Sequence, residues 1–148
     1  HSLKNHFQKM TKENPQISER KKNMKFIKRK IKINEEFNRE IAPFFWVKQR
    51  AGASVCLSAG DGYLQEIFAA RADEGFIGNG YDWSSLAQVF LDEHCAELQE
   101  KIAFDPEADM FCAYSKDKYA LADFIFQFKK ACENKPLIAD LFSRAEAD

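Results

Sequence analysis

The chain has 148 residues, with 22 Lys and Arg against 23 Asp and Glu for a net charge of -1, and 14 of its residues are Phe. That length buries roughly two-thirds of the surface an unfolded chain exposes, so one self-sufficient domain is expected without a stapling metal or disulfide. The phenylalanine content excludes a chain without a core, and no apolar run nears the roughly 20 residues that cross a bilayer, so a soluble, cytoplasmic protein with no membrane partner is expected.

The charge is divided along the chain. Residues 1–32 hold 11 bases and two acids, a net of +9, whereas residues 33–148 hold 11 bases and 21 acids, a net of -10. Residues 1–23 have little apolar content and no period. They read as a basic, flexible N-terminal arm or as upstream sequence ahead of a start at Met24, with residues 24–148 as a single globular domain. From Met24, KFIKRKIKI sets Ile27, Ile31 and Ile33 against Lys28, Lys30 and Lys32, the alternation of a half-buried strand with a basic outer face. PFFWVKQ from Pro43 and ASVCLSA from Ala53 are β-rich and joined through Arg50-Ala51-Gly52 as a hairpin. Gly60-Asp61-Gly62 reads as a strand-to-helix turn. Leu64, Ile67 and Phe68 then share one face of a helix over 63–72, with Glu66 and Arg71 outside.

The segment GFIGNGYDWSSL, 75–86, packs three glycines before a helical pattern and invites a phosphate-cradle reading. The glycine order is the reverse of a dinucleotide fingerprint and follows a helix, and no Gly-Lys-Ser/Thr ending is present, so neither phosphate motif is met. Gly75 is expected to end one helix at left-handed φ and Asn79-Gly80 to form a turn needing positive φ. Asp82 is expected to cap the next helix, its carboxylate taking the place an anion would want, while one of Tyr81 and Trp83 enters the core and the other stays partly exposed. Along that helix Ala87, Phe90, Leu91, His94 and Leu98 follow one stripe, which makes His94 a core residue. KIAF and MFCAYS form a second hairpin around DPEAD. Leu121, Phe124, Ile125, Phe128 and Cys132 lie on one helical face, and Leu137, Ile138, Leu141 and Phe142 make a last short helix after Pro136. The mixed order predicts an α+β fold: a mainly antiparallel, twisted sheet with helices packed against it.

Metal and nucleophile chemistry find little support. Cys56, Cys95, Cys112 and Cys132 stand 39, 17 and 20 residues apart, with no CxxC pair, and read as reduced core residues. Asp105, Glu107 and Asp109 alternate like the opening of a calcium loop, but Met110 and Lys116 occupy the positions that need Gly and Glu. His94 and Cys95 are adjacent in a helix and diverge by about 100°, so they do not make a catalytic pair.

GNGYDWSSLAQVF, followed by FDPEADMFCAYS and closing with LFSRAE, resembles the immunity protein 51 family of bacterial polymorphic toxin systems, over 43–146. The resemblance implies an α+β antitoxin that binds a cognate toxin domain encoded nearby and protects the producing cell from itself and its kin. It implies no catalysis and no cofactor. The -10 body suits a basic target such as a nuclease, and nucleic acid itself is not the favoured partner. The candidate toxin contacts are Asn79, Tyr81 and Trp83, and the acidic hairpin Asp105, Glu107 and Asp109, where aromatic anchors and charge coincide. Two rivals stand beside this reading: a non-enzymatic adaptor that binds nucleic acid or protein through the basic arm, and a hydrolase, which would need a deep pocket with converging titratable groups.

Overall fold

The structure is a computed structural model that describes residues 31–147. The basic arm, and all but the last three residues of the strand expected over 25–33, lie outside the described residues; 31–33 have no regular structure. The first helix, α1 (Glu35–Ile41), was not expected. Asn34 Oδ1 accepts from the Phe37 N–H at 3.0 Å, Glu35 and Glu36 occupy the positive end, and Phe37 and Ile41 turn inward one above the other.

Two strands follow as the sequence predicts, β1 (Phe45–Lys48) and β2 (Ala53–Ser58), antiparallel with Trp46 opposite Val55. A 3₁₀ turn at Ala59–Asp61 leads to α2 (Gln65–Ala69), which is shorter than predicted. Leu64 takes a left-handed conformation at its start and a second 3₁₀ turn, Ala72–Glu74, replaces its end. Then come α3 (Gly80–His94), a 3₁₀ turn at Ala96–Leu98, β3 (Ala103–Phe104), β4 (Met110–Ser115), α4 (Lys118–Glu133) and α5 (Lys135–Phe142). Asp117 caps α4 through the N–H groups of Tyr119 and Ala120, both at 3.1 Å, and Asn134 caps α5. The predicted stripe of α4 is buried along its whole length, whereas Leu137 of α5 is only half-buried. No helix among the described residues is long and apolar enough to cross a membrane.

The sheet has the order β1-β2-β4-β3 and is antiparallel throughout. Because side chains alternate, Ala53, Val55, Leu57, Phe111 and Ala113 point to one face, where α3 and α4 pack, and all five are buried. Phe45, Val47, Ser54, Cys56, Met110, Cys112 and Tyr114 stand on the other face. The core between sheet and helices is aromatic. Trp83 of α3 is 1 % exposed. Its ring lies 5.8 Å from Phe44, 6.0 Å from Tyr63, 5.1 Å from Phe68 and 6.2 Å from Phe128, which ties together every layer of the chain.

Arg71, expected on the solvent side of its helix, holds the C-terminal turn instead. Its Nη1 donates to the carbonyls of Phe142 and, at 2.9 Å, Ala145, while its guanidinium stacks on the rings of Phe76 and Phe142 at 4.4 and 4.9 Å. Glu74 fixes its other edge with two bonds of 2.8 and 2.7 Å. Arg71→Ala removes the donor from both carbonyls and is expected to cost about 1–3 kcal/mol in urea unfolding; Arg71→Lys, lacking the planar fork, should recover less than half of that loss. A wild-type midpoint in either variant would contradict this role.

Candidate functional site

The glycine-rich segment ahead of α3 is organised around one carboxylate. Asn79, not Asp82, is the N-cap: its Oδ1 accepts from the Asp82 N–H at 2.9 Å. Asp82, three residues into the helix, returns the bond. Its Oδ2 accepts from the N–H groups of Ile77 and Gly78 at 2.8 Å each and, more weakly, of Asn79 at 3.4 Å. The capping-box arrangement moves the cap three residues earlier than expected, because both Asn79 and Asp82 are capping residue types at N-cap and N3 spacing. The cradle of backbone N–H groups does exist, and it is filled by the protein's own anion, as the sequence reading expected. Asp82 is 5 % exposed. Left-handed φ falls at Gly75 and at Gly78 rather than at Asn79 or Gly80.

Gly80 serves close approach. Its N–H, one of the donors a helix start leaves unpaired, bonds to the carbonyl of Ala108 at 3.0 Å, and a Cβ at this position would overlap the carbonyl oxygens of Glu107 and Met110. The first turn of α3 therefore lies directly on the turn between β3 and β4. The hairpin is held from another side by the Ala59 N–H, which donates to the Asp109 carbonyl at 2.9 Å. The two candidate patches, 79–83 and 105–109, thus form one continuous surface.

Within that surface the candidates differ in what they can offer. Tyr81 is 41 % exposed, and Asp105, Glu107 and Asp109 all face solvent. Asn79 is half-buried with its side chain committed to the cap. Trp83 lies in the core, with no indole surface left for a partner; of the two aromatics it is the one that enters the core, and Tyr81 is the exposed one. Ile77, not singled out in the sequence, is 71 % exposed in the same segment, while Phe76 beside it is 1 % exposed; two apolar residues between Gly75 and Gly78 gave no sign of which would face outward. Beside Tyr81 runs a groove of about 570 Å³ between the outer face of α3 and the hairpin, bordered by Gln88, Asp92, Phe104, Pro106 and Arg144. Arg144 is engaged by Glu93 in a fork of two 2.8 Å bonds and by Asp140 at 2.9 Å, and these bonds hold both carboxyls below the usual carboxylate range. The Ser84, Ser85, Gln88 and Asp92 side of α3 could have been read from its helical spacing opposite the apolar stripe.

His94 departs from expectation. It is exposed and stacks on Phe90 with ring centres 5.4 Å apart, because α3 ends at His94 and the buried position passes to Cys95 as the chain turns inward. The cysteines depart as well. Cys56, Cys95 and Cys132 are buried as expected, but Cys112 is only half-buried and its Sγ lies 3.4 Å from that of Cys56. No cluster of three or more His, Cys, Asp or Glu side chains that could hold a metal ion is found among the described residues.

Two substitutions test this construction. Gly80→Ala forces a methyl against hairpin carbonyls that cannot yield without moving the turn, and is expected to destabilise by about 2–3 kcal/mol. Asp82→Ala strips the acceptor from the 77–79 cradle and should cost about 2 kcal/mol. Denaturant unfolding of each variant measures the loss; less than about 0.5 kcal/mol for either would show that the helix start does not depend on these contacts.

The family model described as immunity protein 51 matches residues 44–147. Comparison with curated proteins and with solved structures returned no match. The matched span runs from Phe44, which lies against Trp83, through the helix start and the hairpin to the C-terminal turn held by Arg71, and so takes in every part of the site. The chain belongs to the immunity protein 51 family.

Proposed function

We propose that this protein is an antitoxin, which binds a cognate toxin domain encoded beside it and neutralises it in the cytoplasm of the producing cell. Membership of an immunity-protein family supports the class of function. The observation that carries the location is the hydrogen bond between Gly80 and Ala108, because it places the exposed Tyr81 and Ile77 beside the acidic hairpin on one rigid surface. A large aromatic anchor rimmed by charge is the composition that concentrates binding energy at protein interfaces.

Asp105, Glu107 and Asp109, in a body of net charge -10 over residues 33–148, favour a basic partner such as a nuclease domain, whose approach that field would accelerate. The work is stoichiometric covering and no bond is made or broken.

The test is co-expression and co-purification with the product of the adjacent toxin gene. Protection and a stable complex are expected, and failure of both would remove the proposal. Within the complex, Tyr81→Ala is expected to weaken affinity about 10–100-fold, mainly through faster dissociation. Replacing Asp105, Glu107 and Asp109 together by Asn, Gln and Asn should instead slow association and flatten its dependence on salt. Unchanged kinetics in both variants would place the interface elsewhere on the body.

A further inference from the structure

Cys56 and Cys112 are 56 residues apart in sequence and meet through the register of β2 and β4, where they stand directly opposite each other. The carbonyl of Cys112 accepts from the Asp105 N–H at 2.9 Å on the β3 side. In an antiparallel strand a residue's N–H and C=O point the same way, so Cys112 directs neither toward β2. The two cysteines therefore form a non-hydrogen-bonded pair, the kind with Cα atoms about 4.5 Å apart and side chains drawn together. That separation is within the range a disulfide spans. The sulfurs are already at 3.4 Å, on the sheet face turned away from α3 and α4. Bond formation needs the sulfurs to close from there to about 2.0 Å, a movement of the side chains across an existing contact.

We propose that Cys56 and Cys112 are a redox-active dithiol that exchanges with low-molecular-weight disulfides of the glutathione type and closes to a cross-strand disulfide. Cys112 is the attacking residue and Cys56 the resolving one. Cys112 is the more exposed of the two, whereas Cys56 is 8 % exposed. The Cys56 S–H donates to Cys112 Sγ, which favours thiolate at Cys112 and holds its pKa below the usual thiol range. The same contact pushes Cys56 upward, keeping its proton in place until the first exchange has occurred.

The steps balance. The Cys112 thiolate attacks one sulfur of the small disulfide, the S–S bond breaks, and the first thiolate leaves and takes up a proton. Cys56 then loses its proton and attacks Cys112 Sγ, expelling the second small thiol. The protein dithiol is oxidised by two electrons and the small disulfide is reduced to two thiols. The product ties together the two central strands of the sheet. Cys95 and Cys132, both fully buried and without a thiol opposite, stay reduced.

The experiment treats the full chain with oxidised glutathione, quenches in acid, and reads intact mass and the linked peptides. The expected product is lighter by two hydrogens, joins Cys56 to Cys112, reverts with dithiothreitol, and melts on the order of 5–15 °C higher than the reduced protein. Cys56→Ser should retain one glutathione on Cys112, and Cys112→Ser should react at Cys56 at least about tenfold more slowly. A wild-type adduct that never closes, a link through Cys95 or Cys132, or equal rates in the two Ser variants would overturn the assignment. The wild-type mapping decides the matter even if a variant folds poorly.

Discussion

The architecture hangs on the contact between the first turn of α3 and the turn joining β3 to β4. A helix start leaves backbone donors that need partners, and here the partners come from three sources: the Asn79 side chain for the Asp82 N–H, the Asp82 carboxylate, at 3.4 Å, for the Asn79 N–H, and the Ala108 carbonyl of the hairpin for the Gly80 N–H. The last of these is available only because residue 80 has no side chain. The Asn79–Asp82 box closes locally, but the Gly80 N–H finds its partner only when the hairpin is in place, so capping is completed by tertiary packing. Three otherwise local features, a glycine-rich turn, a helix start and a hairpin, become one cooperative unit.

Trp83 extends that unit into the core. It follows Asp82 by one residue, so the geometry that buries the carboxylate also sets the direction of the indole. Around it, Phe44 comes from the entry to β1, Tyr63 and Phe68 from the α2 region, Phe111 from β4 and Phe128 from α4. Tyr63 stacks parallel to the indole while the others meet it edge-on or tilted, and such pairs add about 0.5–1.5 kcal/mol each beyond the area they bury, although contacts sharing one ring do not sum. Because sheet and helices both send rings to the same indole, the exposed surface above it has a stiff support.

What could be read from the sequence was the part governed by local pattern. The stripe from Leu121 to Cys132 was legible because a 16-residue helix repeats its period several times. Both hairpins were legible from their β-rich runs and turn residues. The seven-residue α1 was not, although NEEFNREI holds a cap, an acidic first turn and the pair Phe37 and Ile41, because two turns give only one repeat of the period. The 79–83 segment was half legible: the turn and the self-filled cradle follow from residue types, but two capping types, Asn79 and Asp82, left the helix start ambiguous by three residues. His94 was misplaced because periodicity carries no mark of where a helix stops. The meeting of Cys56 with Cys112, and of Tyr81 with the acidic hairpin, depends on strand register and on a contact across about 28 positions of chain between Gly80 and Ala108, which no window of sequence contains.

This arrangement also separates inward-facing positions, which hold the fold, from an outward-facing one within a single short motif. In GNGYDW, Gly78 supplies a left-handed φ, Asn79 and Asp82 close the cap, Gly80 admits the hairpin, and Trp83 fills the core; Tyr81 alone sends its side chain outward. At N2 of a helix whose cap is already complete, an outward side chain is constrained by little except helical φ and ψ, so substitutions there act on the surface and leave the scaffold intact. The exposed acids of the hairpin have the same freedom, since it is their backbones, through the Glu107–Met110 pair and the Asp109 carbonyl, that hold the turn. A body built this way can keep its packing while its contact chemistry changes.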